Sequence, residues 1–150
     1  MKWNEKYSIR LSKVCVALFA LAAAALALTA PWVVDWFVKF SRAMLLWREH
    51  FLLVSIYAAV PPALAVLWLL WRLLDNLQKG RVFVPQNAAY LRGVSWCCIA
   101  AAGICLASGL YYLPFLLVAV LAGFMALIVR VVKNVFEQAI ILQDDADYTI

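Results

Sequence analysis

Four stretches of this chain are too long and too apolar to lie inside a water-soluble domain. They run over about 14–34, 51–71, 94–112 and 114–133. A helix needs about 20 consecutive apolar residues to cross the hydrocarbon core of a bilayer, and each run approaches or meets that length. The last two would form one run twice too long, were it not for the break from Gly109 to Pro114. Glycine and proline there mark a tight hairpin, and Tyr111 and Tyr112 beside them suit a membrane interface. The first run follows Lys2, Lys6, Arg10 and Lys13, as the core of a signal peptide would. Its candidate cleavage site at Ala30 is poor, with Leu28 two residues before it and Pro31 immediately after. A retained span is therefore expected.

Composition agrees. The chain is 68% hydrophobic and 14% charged, where soluble domains hold about 45–50% and about 25%. Its 150 residues provide for four spans with short connections. The expected fold is all-α, a polytopic membrane protein of four transmembrane helices in one domain over 1–150. The net charge of +5 does not indicate nucleic acid. The basic residues flank apolar runs, and no basic face with interleaved aromatics exists outside them.

The same residues set the expected orientation. With four spans, one side holds Lys2, Lys6, Arg10, Lys13, Arg72, Lys79, Arg81, Arg92, Arg130 and Lys133. The other holds Lys39, Arg42 and Arg48. Cytoplasmic segments carry the excess of Lys and Arg. Both termini and the 75–93 loop are thus expected in the cytoplasm, with the protein in the inner (plasma) membrane.

Two connections carry content. Residues 35–49 place Trp36, Phe37, Phe40, Met44 and Trp47 in one helical sector and Asp35, Lys39, Arg42 and Glu49 in another, with Leu46 among the charges. That pattern predicts an amphipathic helix on the outer interface, acting as an anchor or as a lid. On the inner side, "DNLQKGRVFVPQNAAYLRG" reads as helix, stop, apolar elbow, helix. Lys79 and Gly80 suit a helix end. Val84 is driven to an extended conformation by Pro85, which itself suits a first helical turn. Val82, Phe83 and Val84 are expected to dock on the bundle.

The segments "KGRVFVPQNAAYLRG" and "NVFEQAIILQDDADYTI" resemble a family of small bacterial four-span inner-membrane proteins catalogued as a domain of unknown function. The similar positions are Lys79, Gly80, Phe83, Asn87, Leu91 and Arg92, then Phe136, Asp147, Thr149 and Ile150. The resemblance covers the whole length. Members of that family are often encoded beside a small helix-turn-helix regulator, which implies a regulatory pairing and says nothing about mechanism.

Chemistry-bearing residues are few. Cys15, Cys97, Cys98 and Cys105 all lie in apolar runs and lack metal-ligand spacing, so they read as small hydrophobes. His50 is the only histidine and lies at the outer start of the second span. No cofactor or metal site is expected. No Asp, Glu, Lys, Arg or His sits deep in a span, which argues against proton-coupled transport. Pro61-Pro62 is the irregular point: two missing N–H groups leave the carbonyls of Tyr57 and Ala58 without helical partners. Ser55 and Tyr57 nearby make a ligand cavity at Ser55, Tyr57, Pro61 and Pro62 a candidate. Small residues at Ala22 to Ala25, Gly103 with Ala107, and Ala119 with Gly123 suit helix packing or the seam of a homo-oligomer.

The expected function is non-enzymatic, a regulatory or sensing membrane protein that tethers a cytoplasmic protein regulator. Its candidate partner-binding residues are Lys79, Arg81, Phe83, Asn87 and Arg92 in the loop, with Asp144, Asp145 and Asp147 in an acidic tail expected to meet that loop. The alternative is a small transport or immunity-type protein using the Pro61-Pro62 cavity for lipid or an apolar ligand. An enzyme ranks last, since no nucleophile–base or metal set is visible. Membrane lipids are the other expected partners, and no direct contact with nucleic acid is expected.

Overall fold

A computed structural model describes residues 2–40 and 49–149. They form four helices: α1 (Lys2–Phe40), α2 (Glu49–Gln78), α3 (Pro85–Gly109) and α4 (Pro114–Tyr148). Each is long and apolar enough to cross a membrane, and there is no strand among the described residues. At about 1.5 Å per residue, all four helices exceed the roughly 30 Å hydrocarbon core, α3 by the least.

The helices pack in chain order: α1 on α2, α2 on α3, α3 on α4. The seam of α1 shows how the sequence directs this. Its less exposed residues include Ile9, Lys13, Val16, Ala20, Ala23, Ala27, Ala30, Val34 and Phe37, spaced alternately by four and three. That is the heptad stripe of two helices packed side by side. Alanines at its centre let the two backbones approach closely. Ala22, Ala24 and Ala25 face outward instead.

Between α3 and α4 the buried small residues are Ala119 and Ala126, two turns apart, with the Ser95 hydroxyl donating to the Ala126 carbonyl at 3.2 Å. Gly123, one turn beyond Ala119, has open space around it, so of this pair Ala119 alone packs within the bundle. Gly103 and Ala107 also face outward on α3.

The α3–α4 hairpin falls where Gly109 and Pro114 predict it. Tyr111 and Tyr112 N–H groups both donate to the Ser108 carbonyl, at 3.2 and 3.1 Å. Gly109 is needed for closeness rather than for an unusual φ: a Cβ there would lie 2.5 Å from Leu116 Cδ2. Tyr111, Tyr112 and Phe115 pack on a core of Val34, Val38 and Leu52.

Asp35–Phe40, expected to open a separate interfacial helix, continue α1 without a break. Their aromatics divide between two directions. Phe37 turns inward, edge-on to Tyr112 at 6.0 Å, while Trp36 and Phe40 stack together on the exposed side at 5.6 Å. Arg42, Met44, Leu46 and Trp47 lie outside the described residues. Pro61 and Pro62 do not interrupt α2, which is helical from Glu49 to Gln78.

Candidate functional site

The candidate site lies at the end of the bundle that carries the 75–93 loop. α2 ends there in a Schellman motif. Gly80 has φ 76, its N–H donates to the Leu77 carbonyl at 3.1 Å, and the Arg81 N–H donates to the Asn76 carbonyl at 2.9 Å. Glycine tolerates that left-handed conformation without a Cβ clash. Val84 is extended, with φ −116 and ψ 146, and Pro85 opens α3.

Asn87 holds this elbow in shape. Its Nδ2 donates to the carbonyls of Arg81 and Val82 at 2.8 and 2.7 Å. Its Oδ1 accepts from Asn76 Nδ2 at 2.9 Å. The side chain is fully buried. A turn that leaves the ladder of both helices must satisfy its carbonyls elsewhere, and one amide meets two of them. The expectation that Asn87 itself touches a partner is therefore corrected: it has no surface to offer, and it shapes the loop that does.

The elbow leans on α4. Phe83 and Phe136 rings lie 5.9 Å apart. Arg92 Nη2 meets Glu137 Oε1 at 3.0 Å, and Lys133 Nζ meets the same oxygen at 3.4 Å. Partial burial raises the Glu137 carboxyl, but its hydrogen bond to Arg92 and the Lys133 charge outweigh that, leaving it below the usual range. Between these elements is a groove of about 400 Å³, walled by Pro85, Ala88, Ala89, Ile140 and Ile141, with Arg92 and Glu137 at its edge.

α1 reaches the same end. Lys13 Nζ contacts Asp75 Oδ1 at 3.0 Å and Gln78 Oε1 at 2.6 Å, and lies over the Trp71 ring at 5.3 Å. Lys79 holds the other oxygen of Asp75 at 2.7 Å. Hydrogen bonds from Lys79 and Lys13 draw the Asp75 carboxyl down to about 2.

The acidic tail behaves differently from expectation. Asp144, Asp145 and Asp147 are exposed, and among the described residues none pairs with Lys79, Arg81 or Arg92. Loop and α4 do meet, but Glu137, two turns earlier, takes the arginine. The three aspartates lie past the point where α4 runs alongside the elbow. Arg81 is exposed without an acidic partner among the described residues, and Phe83 is about half exposed.

The residues around Pro61-Pro62 are not gathered into one cavity. Ser55 faces α3, where Ser108 Oγ donates to it at 2.7 Å and the Tyr111 hydroxyl touches it. Tyr57, two residues on, lies on the exposed side of α2. Positions two apart on a helix point in nearly opposite directions. Ser55 thus joins a hydroxyl cluster that ties the hairpin to α2, and Tyr111 also donates to the Phe51 carbonyl at 3.0 Å.

Sequence reasoning missed Asn76, Glu137, Ser108 and the Lys13–Asp75 contact. Only Glu137 carried a local signal, four residues after Lys133 on one helix face.

Four apolar helices joined by short connections, with the charged side chains gathered at their ends, define a multi-pass integral membrane protein. The chain belongs to the family described as protein of unknown function (DUF2975), which matches residues 41–150, from before α2 through α4. No curated protein and no solved structure matches it.

Proposed function

We propose that this is a non-enzymatic, regulatory membrane protein that holds a soluble protein partner against the surface formed by the 79–92 elbow and the extension of α4. The observation that carries this reading is the Arg92–Glu137 contact across 45 positions, which with Phe83–Phe136 braces a groove outside the apolar spans. A connection that only joined two spans would need neither a fully buried asparagine nor a docked aromatic. Exposed Arg81, half-exposed Phe83 and the apolar groove supply an aromatic and a cationic anchor next to an apolar cleft, the makeup of a binding hot spot. Asp144, Asp145 and Asp147 extend that surface with charge of the opposite sign.

The excess of Lys and Arg at this end supports placing it, with both termini, on the cytoplasmic side of the plasma membrane. The test is native mass spectrometry of gently solubilised protein at natural expression level. Wild type is compared with the Arg81→Ala/Phe83→Ala variant, whose side chains are exposed and leave the elbow's hydrogen bonds intact. A protein bound to wild type and lost from the variant supports the reading. A bound protein retained by both refutes this surface, and no bound protein in either refutes the tethering role.

A further inference from the structure

A second groove lies between α1 and α2, away from the elbow–α4 surface. It is lined by Val16, Ala17 and Ala20 on one side and Leu64, Leu67, Trp68 and Trp71 on the other. The wall is apolar throughout and spans about two turns, roughly 10 Å along the helices. It opens between two membrane helices, so an acyl chain is its natural filling. The end nearer the loop is basic. Arg72 stacks on Trp68 with its guanidinium carbon 5.2 Å from the ring, and Lys13 stands over Trp71. Arg10 precedes Ala17 by seven residues and so shares its face of α1.

The charges at that end are unequal. Among the described side chains of α1 and α2 at that end, Asp75 is the carboxylate, and Lys13 and Lys79 already hold both of its oxygens. Arg72 and Arg10 have no acidic partner among the described residues. The guanidinium of Arg72 is fixed on the tryptophan, and a guanidinium presents a planar fork that matches a phosphate. Tryptophans set the depth at which a headgroup meets hydrocarbon, and basic pockets between membrane helices bind anionic headgroups.

We propose that the α1–α2 groove is a binding site for an anionic phospholipid. One acyl chain lies along Ala17 and Ala20 against Leu64, Leu67 and Trp68, the phosphate meets Arg72 on Trp68, and Arg10, two turns from Ala17 on the same face of α1, adds to the positive charge at that end. The site is independent of the partner surface at the elbow, and each can fail without the other.

The test uses the full-length protein in nanodiscs containing equal parts of phosphatidylglycerol and phosphatidylcholine with identical chains. Lipids retained after release into the gas phase are counted by native mass spectrometry. Wild type is expected to retain phosphatidylglycerol over phosphatidylcholine about tenfold or more, since each arginine contributes severalfold. The Arg10→Gln/Arg72→Gln variant should fall to near parity. Ala17→Phe, which fills the groove and keeps every charge, should lose retention of both lipids, whereas Arg130→Gln on exposed α4 should match wild type. Equal retention of the two lipids by wild type, or an equal loss in Arg130→Gln, would overturn the proposal. A wild-type measurement covers the case of variants that misfold. Phosphatidylglycerol brominated on its chains should quench tryptophan emission more than brominated phosphatidylcholine at the same mole fraction, and equal quenching would also overturn the site.

Discussion

Asn76 donates a hydrogen bond from its Nδ2 to the Oδ1 of Asn87 at 2.9 Å, joining the last turn of α2 to the first turn of α3. That bond fixes the direction of the Asn87 amide, so its two N–H groups point at the carbonyls of Arg81 and Val82. Asn87→Ala leaves both carbonyls, in a part-buried elbow, without these donors. An unsatisfied buried group costs about 1–3 kcal/mol, so the variant should lose roughly 2–4 kcal/mol in thermal or denaturant unfolding in detergent. Asn87→Asp should be no better, since it too removes both donors. Protease cleavage after Arg81 should accelerate in both. An unchanged melting temperature and an unchanged cleavage rate would refute this role for the amide.

Ser108→Ala tests the hydroxyl cluster at the hairpin end. Ser108 is buried, and its hydroxyl contacts Ser55 Oγ at 2.7 Å and the Ile104 carbonyl at 2.8 Å. Polar contacts between membrane helices contribute about 0.6–1.7 kcal/mol, and a loss of that size is expected. Tyr57→Phe removes a hydroxyl from the exposed side of α2 and should change stability by less than about 0.5 kcal/mol. The reverse order of effects would return the polar site on α2 to Tyr57.

The glycines of α3 should differ in tolerance. A Cβ on Gly93 would lie 2.9 Å from Leu69 Cδ1, the end of a flexible side chain, whereas around Gly103 there is open space. Gly93→Ala should be mild. Gly93→Leu should overpack the α2–α3 contact and cost about 1–3 kcal/mol. Gly103→Leu should leave the monomer's stability close to wild type. Loss of a dimer in size-exclusion measurements on Gly103→Leu would instead place an oligomer seam on that face.

The Asp75 contacts should be lost only in strong acid. The carboxyl is drawn down to about 2 in the folded protein, below its unfolded value of about 3.9. A depressed carboxylate pKa stabilises fully above the unfolded value and loses that stabilisation as pH falls through the folded one. Asp75→Asn should therefore lower the melting temperature at pH 7, and its difference from wild type should shrink between about pH 4 and pH 2. A constant difference over that range would show that the charge of Asp75 does not contribute.

Much of the architecture was legible because lipid imposes simple demands. Apolar length gave four helices, and Gly109 with Pro114 gave the hairpin. Lys79-Gly80 and Val84-Pro85 gave the ends of the elbow, because glycine and proline restrict the backbone locally. The site was legible only in part. Asn87, Phe83 and Arg92 stood out as polar or aromatic residues in the connection, but not their partners. Asn76 and Glu137 are reached through folding back over 11 and 45 positions, and spacing along one helix does not report such distances. Charge alone favoured Asp144, Asp145 and Asp147 over Glu137, although register along α4 decides which carboxylate reaches Arg92. At the end of the bundle that carries the α3–α4 hairpin, helical periodicity placed Phe37 with Trp36. The helix is the same one, but Tyr112 draws Phe37 inward from a turn far along the chain.

The packing of each helix on its predecessor sets an order of assembly. Contacts between neighbours in sequence need little loop closure and form fast, and a chain emerging from the ribosome meets them in the order it is made. α2 can settle against the alanine stripe of α1 before α3 exists, and α3 against α2 before α4 follows. The contact of Phe37 with Tyr112 cannot form on that schedule. It waits for the turn after α3, and the contacts of Phe83 with Phe136 and of Arg92 with Glu137 wait longer still, for the far half of α4.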